Sequence, residues 1–133
     1  MNKEKFNEII ERLENNDKSL LILNFVDKNI NDIQAKEIAE ALKKNTRLFE
    51  LILASNNITN KGAKEIAEAL KVNKDLKVLN LCNNKISNQG AKNLMEALCI
   101  NQSLLFLLVN QNNISEEYIA FFTGYNSGGK ENE

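Results

Sequence analysis

The chain has 133 residues, of which 43% are hydrophobic and 26% charged, with 17 basic residues against 18 acidic ones. That length suits one domain and that balance an ordinary globular chain, which excludes wholesale disorder. A formal charge of -1 creates no field to gather nucleic acid or an anionic membrane, so neither is expected as a partner.

Met1–Ser19 is charged and amphipathic, with Phe6, Ile9, Ile10 and Leu13 at helical spacing. We expect a helix from about Lys3 to Glu14 that covers an apolar end, making residues 1–19 a cap rather than a secretory leader. Without a leader, Cys82 and Cys99 read as free thiols in a reducing compartment, with Cys99 in the core. The expected location is the cytoplasm; a secreted effector acting in host cytosol is the alternative. The longest apolar run, Leu104–Val109, falls far short of the roughly 20 residues that span a bilayer.

From Leu20 the chain repeats. Leu20, Leu48, Leu76 and Leu104 stand 28 residues apart, dividing the domain into repeats 20–47, 48–75, 76–103 and 104–123. With each leucine as position 1, position 4 is Leu23, Leu51, Leu79 and Leu107, and position 6 is Phe25, Leu53, Leu81 and Val109. Apolar alternation of this kind marks a short strand. Position 11 is always isoleucine (Ile30, Ile58, Ile86, Ile114), and Ala35, Ile38, Ala39 and Leu42, with their equivalents Ala63, Ile66, Ala67 and Leu70, make one helical stripe. A strand, a turn and a helix of this size bury their apolar sides only by stacking on neighbours.

The joints carry matching signals. Asn31, Thr59, Ser87 and Ser115 precede the helical stripes and are expected to cap the first free helix amides with their side chains. Asn45, Asn73 and Asn101 follow the helices, where the left-handed conformation is expected. Gly62 and Gly90 are expected to let helix and sheet approach. At the far end Tyr118, Ile119, Phe121 and Phe122 are bulky enough to close the stack. Residues 124–133 are Gly-, Ser- and charge-rich and are expected to form a disordered tail.

The pattern Leu76-x-x-Leu79-x-Leu81-x-x-Asn84-x-Ile86, followed by Gly90-Ala91 and Leu94-Met95-Glu96-Ala97-Leu98, resembles the ribonuclease-inhibitor class of leucine-rich repeats. The resemblance covers about Leu20 to Ile114. It implies an α/β solenoid, a right-handed horseshoe segment with a parallel sheet on the concave face, helices on the convex face and an N-terminal capping helix. It also implies that Asn56, Asn84 and Asn112 form an asparagine ladder that bonds backbone groups of adjoining repeats. Lys28 stands at that position in the first repeat and Gln34 replaces the glycine there, so the ladder is expected to start irregularly. Within the class, Ala69–Asn84 and Val109-Asn110-Gln111 are similar to the repeat domain of tropomodulins and leiomodins, which implies actin-filament regulation as one candidate function. The tropomyosin- and actin-binding half that precedes the repeats in that family is not seen ahead of Leu20. The C-terminal extension looks too polar to form that family's final helix.

Chemistry-bearing residues are sparse. The chain has no histidine, the commonest general base and metal ligand. Cys82 and Cys99 lack metal-ligand spacing, and Gly128-Gly129-Lys130 has neither strand before it nor helix after it. Glu37, Glu40, Glu65 and Glu68 alternate with Lys36, Lys43, Lys64 and Lys71 as a solvated helix face. The expectation is no enzyme, no cofactor and no metal. Asn57, Asn101 and Asn113 match the glycosylation pattern only as an asparagine-rich chain does by chance.

The strands offer more. If positions 4 and 6 face the core, positions 3 and 5 face the concave surface. These are Ile22, Glu50, Val78 and Phe106, then Asn24, Ile52, Asn80 and Leu108, with Leu21, Phe49, Lys77 and Leu105 flanking at position 2. Strand propensity alone favours such residues, yet their contiguity marks a candidate protein-binding patch. Its span is on the order of 200 Å² against about 800 Å² per partner in a standard interface. Binding is therefore expected to recruit the loops at Val26–Asp27, Ala54–Ser55, Cys82–Asn83 and Asn110–Gln111. The competing expectation is self-association, a homodimer formed through the same strip or a poorly covered end.

Overall fold

The structure, a computed structural model, describes residues 1–128. Its elements run α1 (Lys3–Glu14), β1 (Ile22–Asn24), α2 (Asp32–Leu42), β2 (Glu50–Ile52), α3 (Asn60–Leu70), β3 (Val78–Asn80), α4 (Asn88–Ile100), β4 (Phe106–Leu108) and α5 (Glu116–Asn126). The strands form one parallel sheet in chain order. Ile22 pairs with Glu50, Glu50 with Val78 and Val78 with Phe106, so each repeat position meets its own equivalent. That registration buries every position-4 leucine on the helix side together with positions 1 and 6. The helical stripe is buried in α2 and α3, with Met95 half-buried at its place in α4, and Ala41 and Ala69, which the sequence pattern did not single out, are buried too, as is Ala97. Their small side chains sit where neighbouring helices pack. Strands about 4.8 Å apart paired one-to-one with helices about 8–10 Å apart put the sheet on the inside of the curve.

The cap forms over the residues expected. Asn2 accepts from the Lys5 amide at 2.8 Å to start α1, and Phe6, Ile10 and Leu13 are buried against the first repeat. The Phe6 ring lies 5.7 Å from that of Phe25. After the helix, Asn16 takes a left-handed φ of 59° and exchanges two hydrogen bonds with Thr46, at 2.7 and 2.8 Å. The Arg12 guanidinium, 2.7 Å from Asp17, together with the Ser19 amide and hydroxyl, holds the Asp17 carboxyl down at about 2 from an ordinary 3.8. Because the folded value lies below the ordinary one, this contribution to stability is complete above about pH 4 and is lost as pH falls through about 2. An Asp17→Asn variant is expected to flatten acid unfolding slightly in that window. An NMR titration of the wild-type carboxyl with a midpoint near the ordinary value contradicts the assignment.

Asn56, Asn84 and Asn112 form the expected ladder. Asn84 accepts from the Ile58 amide at 3.0 Å and donates to Leu53 at 2.9 Å and Leu81 at 3.1 Å. Asn56 serves Lys28, Ile30 and Phe25 of the first repeat in the same way, and Asn112 serves Ile86 and Leu81. Among the described residues no strand-to-helix turn stands before that of Lys28.

Asn45, Asn73 and Asn101 do not adopt the left-handed conformation expected of them. The non-glycine residues that do so, among those described, are Asn16, Asp27, Asn29, Ser55, Asn83 and Gln111. The three helix-following asparagines are buried and form a second ladder. Asn73 donates to the carbonyls of Leu42 at 2.8 Å and Asn45 at 3.0 Å, and accepts from Asp75 at 2.9 Å and Leu76 at 2.8 Å. Asn101 repeats this against Leu70 and Asn73, and Asn45 against Leu13 of the cap.

Helix capping also departs from expectation. Asn31 caps α2 in a reciprocal box with Gln34, and the Thr59 hydroxyl accepts from Lys61. The Ser87 and Ser115 side chains make no cap bond. The first residue of the preceding helix does the work instead. The Asp32 carboxylate accepts from the amides of Thr59 at 2.8 Å and Gly62 at 3.0 Å, and the Asn60 carbonyl from Ser87 at 2.9 Å and Gly90 at 3.0 Å. Gly62 and Gly90 are thus required by this inter-repeat bond. A Cβ on either would stand 2.6 Å from the capping oxygen. Among the described residues no helix supplies such an oxygen to α2, and Gln34, at the glycine position, closes the capping box with Asn31 instead.

At the C-terminus α5 runs to Asn126, past residue 123 and through Gly124–Asn126, which were expected to lie in a polar tail. Phe122 is buried, Tyr118 and Ile119 half-buried, and Phe121 exposed. The Asn126 amide donates to the Leu107 carbonyl at 2.9 Å and accepts its N–H at 2.8 Å. The Tyr125 hydroxyl bonds the Leu104 carbonyl, and burial raises its pKa. The polar residues at 125 and 126 therefore anchor the last turn. The part of the expected tail that covers residues 129–133, with most of Gly128-Gly129-Lys130, lies outside the described residues.

Candidate protein-binding face

Position 4 of each strand is buried, and its neighbours face out. Ile22 is 57% exposed, Leu21 52%, Phe49 49%, Leu105 44% and Phe106 43%. Glu50, Ile52, Lys77, Val78, Asn80 and Leu108 are half-buried and Asn24 is exposed. The sheet pairing brings positions 3 and 5 of the four strands onto one surface, and Leu21, Phe49, Lys77 and Leu105 stand just before the strands, where Leu21, Phe49 and Leu105 are exposed. Asn24 and Asn80 spend an acceptor locally, on the amides of Val26 and Cys82, at 2.9 Å each.

The loops after the strands are extensions of the sheet. Asp27 donates to Ala54 at 3.1 Å, Ser55 to Cys82 at 2.9 Å and Asn83 to Asn110 at 2.9 Å. Asp27, Ser55, Asn83 and Gln111 hold φ between 54° and 61° there, a regularity that position 8, with four different residue types, did not disclose. Asn83 also donates to the Ser55 hydroxyl at 3.0 Å. The loop surface is therefore ordered before any partner arrives. Within it the Cys82 thiol is half-buried. Burial raises its pKa, opposed by a bond from the Asn110 backbone. Cys99, expected in the core, is exposed on α4. It follows the buried Leu98 on the helix and points past the stripe.

Other features carry less chemistry. Ile33, Val72 and Ile100 are exposed apolar residues on the helical side, which strand periodicity does not bring out. A shallow polar depression at the starts of α3 and α4 is lined by Thr59, Asn60, Lys61, Lys64, Gln89 and Asn93, with no acid–base pair among them. Among the described residues no cluster of His, Cys, Asp and Glu fits a metal ion, and no helix is long and apolar enough to cross a membrane.

No curated protein sequence matches the chain. Among solved structures, one titled "Leiomodin-1 Actin-Binding Site 2 (ABS2)" superposes with a TM-score of 0.80 at 23% identity, over 96% of this chain and 92% of that one. The tropomodulin C-terminal domain of Caenorhabditis elegans superposes with a TM-score of 0.65 at 19% identity, over 96% and 94%. Both likenesses are of fold. The family model described as the TMOD/LMOD leucine-rich domain matches residues 2–119. That span takes in the cap helix, all four strands and the start of α5, and the chain belongs to the tropomodulin/leiomodin leucine-rich domain family.

Proposed function

We propose that this chain is a non-catalytic protein-binding module that uses the concave sheet face and its adjoining loops, with actin as the partner to test first. The observation that carries this reading is the apolar strip itself. Ile22, Phe49, Leu105 and Phe106 remain exposed on a sheet whose other face is fully buried, and exposed apolar patches of this kind mark interaction sites. Family membership and the actin-binding title of the leiomodin structure supply the choice of actin. The absence of histidine from the sequence supports a binding role over a catalytic one.

An Ile52→Glu, Phe106→Glu double variant is expected to lose partner capture at least tenfold while its circular dichroism stays that of the wild type, since neither side chain is in the core. Co-sedimentation with filamentous actin and anisotropy with monomeric actin read the loss. Capture unchanged in a folded double variant refutes the concave face. Binding to neither form of actin refutes actin and leaves the face to another protein. Self-association through the same strip is separated by light scattering, where a partner-binding monomer stays near 15.1 kDa.

A further inference from the structure

The turns that lead into the four strands stand side by side on one rim of the stack. Phe49 donates to Leu21, Lys77 to Phe49 and Leu105 to Lys77, at 2.7, 2.9 and 2.8 Å. Asn16 bonds Thr46, and Asn73 and Asn101 each reach the turn before their own. One continuous surface therefore runs from residues 15–21 through 43–50 and 71–78 to 99–106.

Charge is divided unevenly between this rim and the one across the sheet. The turns entering the strands carry the cations of Lys18, Lys44, Arg47, Lys74 and Lys77, with Lys43 and Lys71, against the carboxylates of Asp17, Glu50 and Asp75. The turns leaving the strands, residues 26–34, 54–62, 82–90 and 110–117, carry Lys28, Lys61 and Lys85 against Asp27, Asp32, Glu116 and Glu117. A chain with a formal charge of -1 thus gathers positive charge on one edge. Adjoining helices account for part of it. Glu40 and Glu68 pair with Lys43 and Lys71, and Arg12 of α1 pairs with Asp17. What remains is Lys18, Lys44, Arg47, Lys74 and Lys77, none in an ion pair with a described residue, against Glu14 at the end of α1, Glu50 and Asp75. The first four of these cations are exposed and Lys77 is half-buried.

The cations stop at Lys77. Residues 99–106 hold no charge at all, and Ile100, Leu105 and Phe106 are exposed there, with Val72 leading into them. The rim is therefore polarised along the stack, cationic over its first three turns and apolar at the fourth. A surface that tracks a nucleic-acid backbone gains affinity from each phosphate it neutralises, and Glu50, Asp75 and the apolar end do not suit one. A protein segment carries both kinds of group.

We propose that this rim binds an acidic segment of a protein partner, its carboxylates over Lys18, Lys44, Arg47 and Lys74 and its apolar residues over Ile100 and Leu105. Successive repeats step about 4.8 Å at the strands and about 8–10 Å at the helices. Alternate residues of an extended chain lie about 6.6 Å apart on one side, between those two steps, so one side chain falls to each turn. The site lies beside the concave face and stands whether or not actin is the partner.

The probe is a fluorescein-labelled peptide of roughly twelve residues, long enough when extended to pass all four turns. Glutamate alternates with serine in one half and leucine with serine in the other. Its counterparts replace every glutamate by lysine, or every leucine by serine. Anisotropy with the full chain is expected to show saturable binding of the acidic peptide, at least tenfold weaker binding of the lysine peptide and at least threefold weaker binding of the peptide without leucine. Raising sodium chloride from about 0.05 M to about 0.5 M is expected to weaken the acidic peptide at least tenfold, because exposed charges are screened. The triple variant Lys44→Gln, Arg47→Gln, Lys74→Gln is expected to lose at least tenfold. Lys28→Gln, Lys61→Gln, Lys85→Gln removes as much charge from the opposite rim and is expected to stay within twofold. All six side chains are exposed, and circular dichroism checks that both variants fold. On the wild type, amide NMR signals of residues 44–47, 72–77 and 100–105 are expected to move with peptide. No saturable binding, equal affinity for the acidic and lysine peptides, equal losses in the two triple variants, or signals moving on the opposite rim alone overturns the proposal. A thymidine oligonucleotide or phosphatidylserine vesicles held more tightly than the acidic peptide also overturn it, in favour of a polyanion. No actin is present, so failure here leaves the concave-face reading intact.

Discussion

An Asn73→Ala variant is expected to lose about 3 kcal/mol of unfolding free energy, read as a lower urea midpoint at unchanged slope. The side chain is 3% exposed and closes four bonds, two to carbonyls and two from amides. Each buried group left unpaired costs about 1–3 kcal/mol, less whatever relaxation or an admitted water recovers. Domains of this size hold only about 5–15 kcal/mol in all, so the variant is expected to be marginal at physiological temperature. Asn73→Asp is expected to fare no better, because it turns carboxylate oxygens toward the Leu42 and Asn45 carbonyls. Asn113→Ala serves as the control. Its side chain is exposed, and the change is expected to stay within about 0.5 kcal/mol. Equal, small effects at positions 73 and 113 refute the second ladder.

Gly90→Ala tests a conflict between two effects of opposite sign. Alanine in a helix is favoured over glycine by about 1 kcal/mol. At this position the new methyl meets the Asn60 oxygen at 2.6 Å, the Ile86 methyl at 2.8 Å and the Ala63 methyl at 3.2 Å. The Asn60 side chain has no freedom to yield, because it holds the Ser87 and Gly90 amides and donates to the Ser87 hydroxyl at 2.7 Å. Overpacking of this kind costs about 1–3 kcal/mol before the capping bonds are lost, so a net destabilisation of about 2 kcal/mol is expected. A double-mutant cycle with Asn60→Ala identifies the cause, since removing the oxygen relieves the clash. The two changes together are expected to cost at least about 1 kcal/mol less than their sum. Strict additivity, or a Gly90→Ala protein more stable than wild type, refutes the inter-repeat cap.

What the sequence disclosed was whatever is local or periodic. The leucines at positions 1, 4 and 6, the isoleucine at 11 and the helical stripe lie where their spacing puts them, and the cap helix ends on the expected residues. Misreadings fell on side chains whose partners lie a whole repeat away. Asn73 after a helix looks like a local terminator because that is what an asparagine does when nothing else reaches it. Only the stack brings Leu42 and Asn45 within 3.0 Å. Ser87 looks like a cap, but Asn60 reaches its amide from the previous helix. Gly124 and its polar neighbours look like a tail, and become helix because Tyr125 and Asn126 find carbonyls on the sheet edge. The outward-facing strand positions 3 and 5 were legible because strand alternation alone sorts them.

The side chains that join one repeat to the next run in two opposing directions. Asn56, Asn84 and Asn112, with Asn45, Asn73 and Asn101, reach back toward the N-terminus. Asp32, Asn60 and Asn88 reach forward. Lifting the last repeat away strands the Ile86 amide, and lifting the first strands the amides of Thr59 and Gly62. Neither end frays for free, and the coupling between units is large against what any unit contributes alone. A repeat here is therefore not a portable part. Lengthening or shortening the array at a boundary succeeds only if the new terminal repeat receives its own closure, a self-capping Gln34 at one end or an Asn126 at the other.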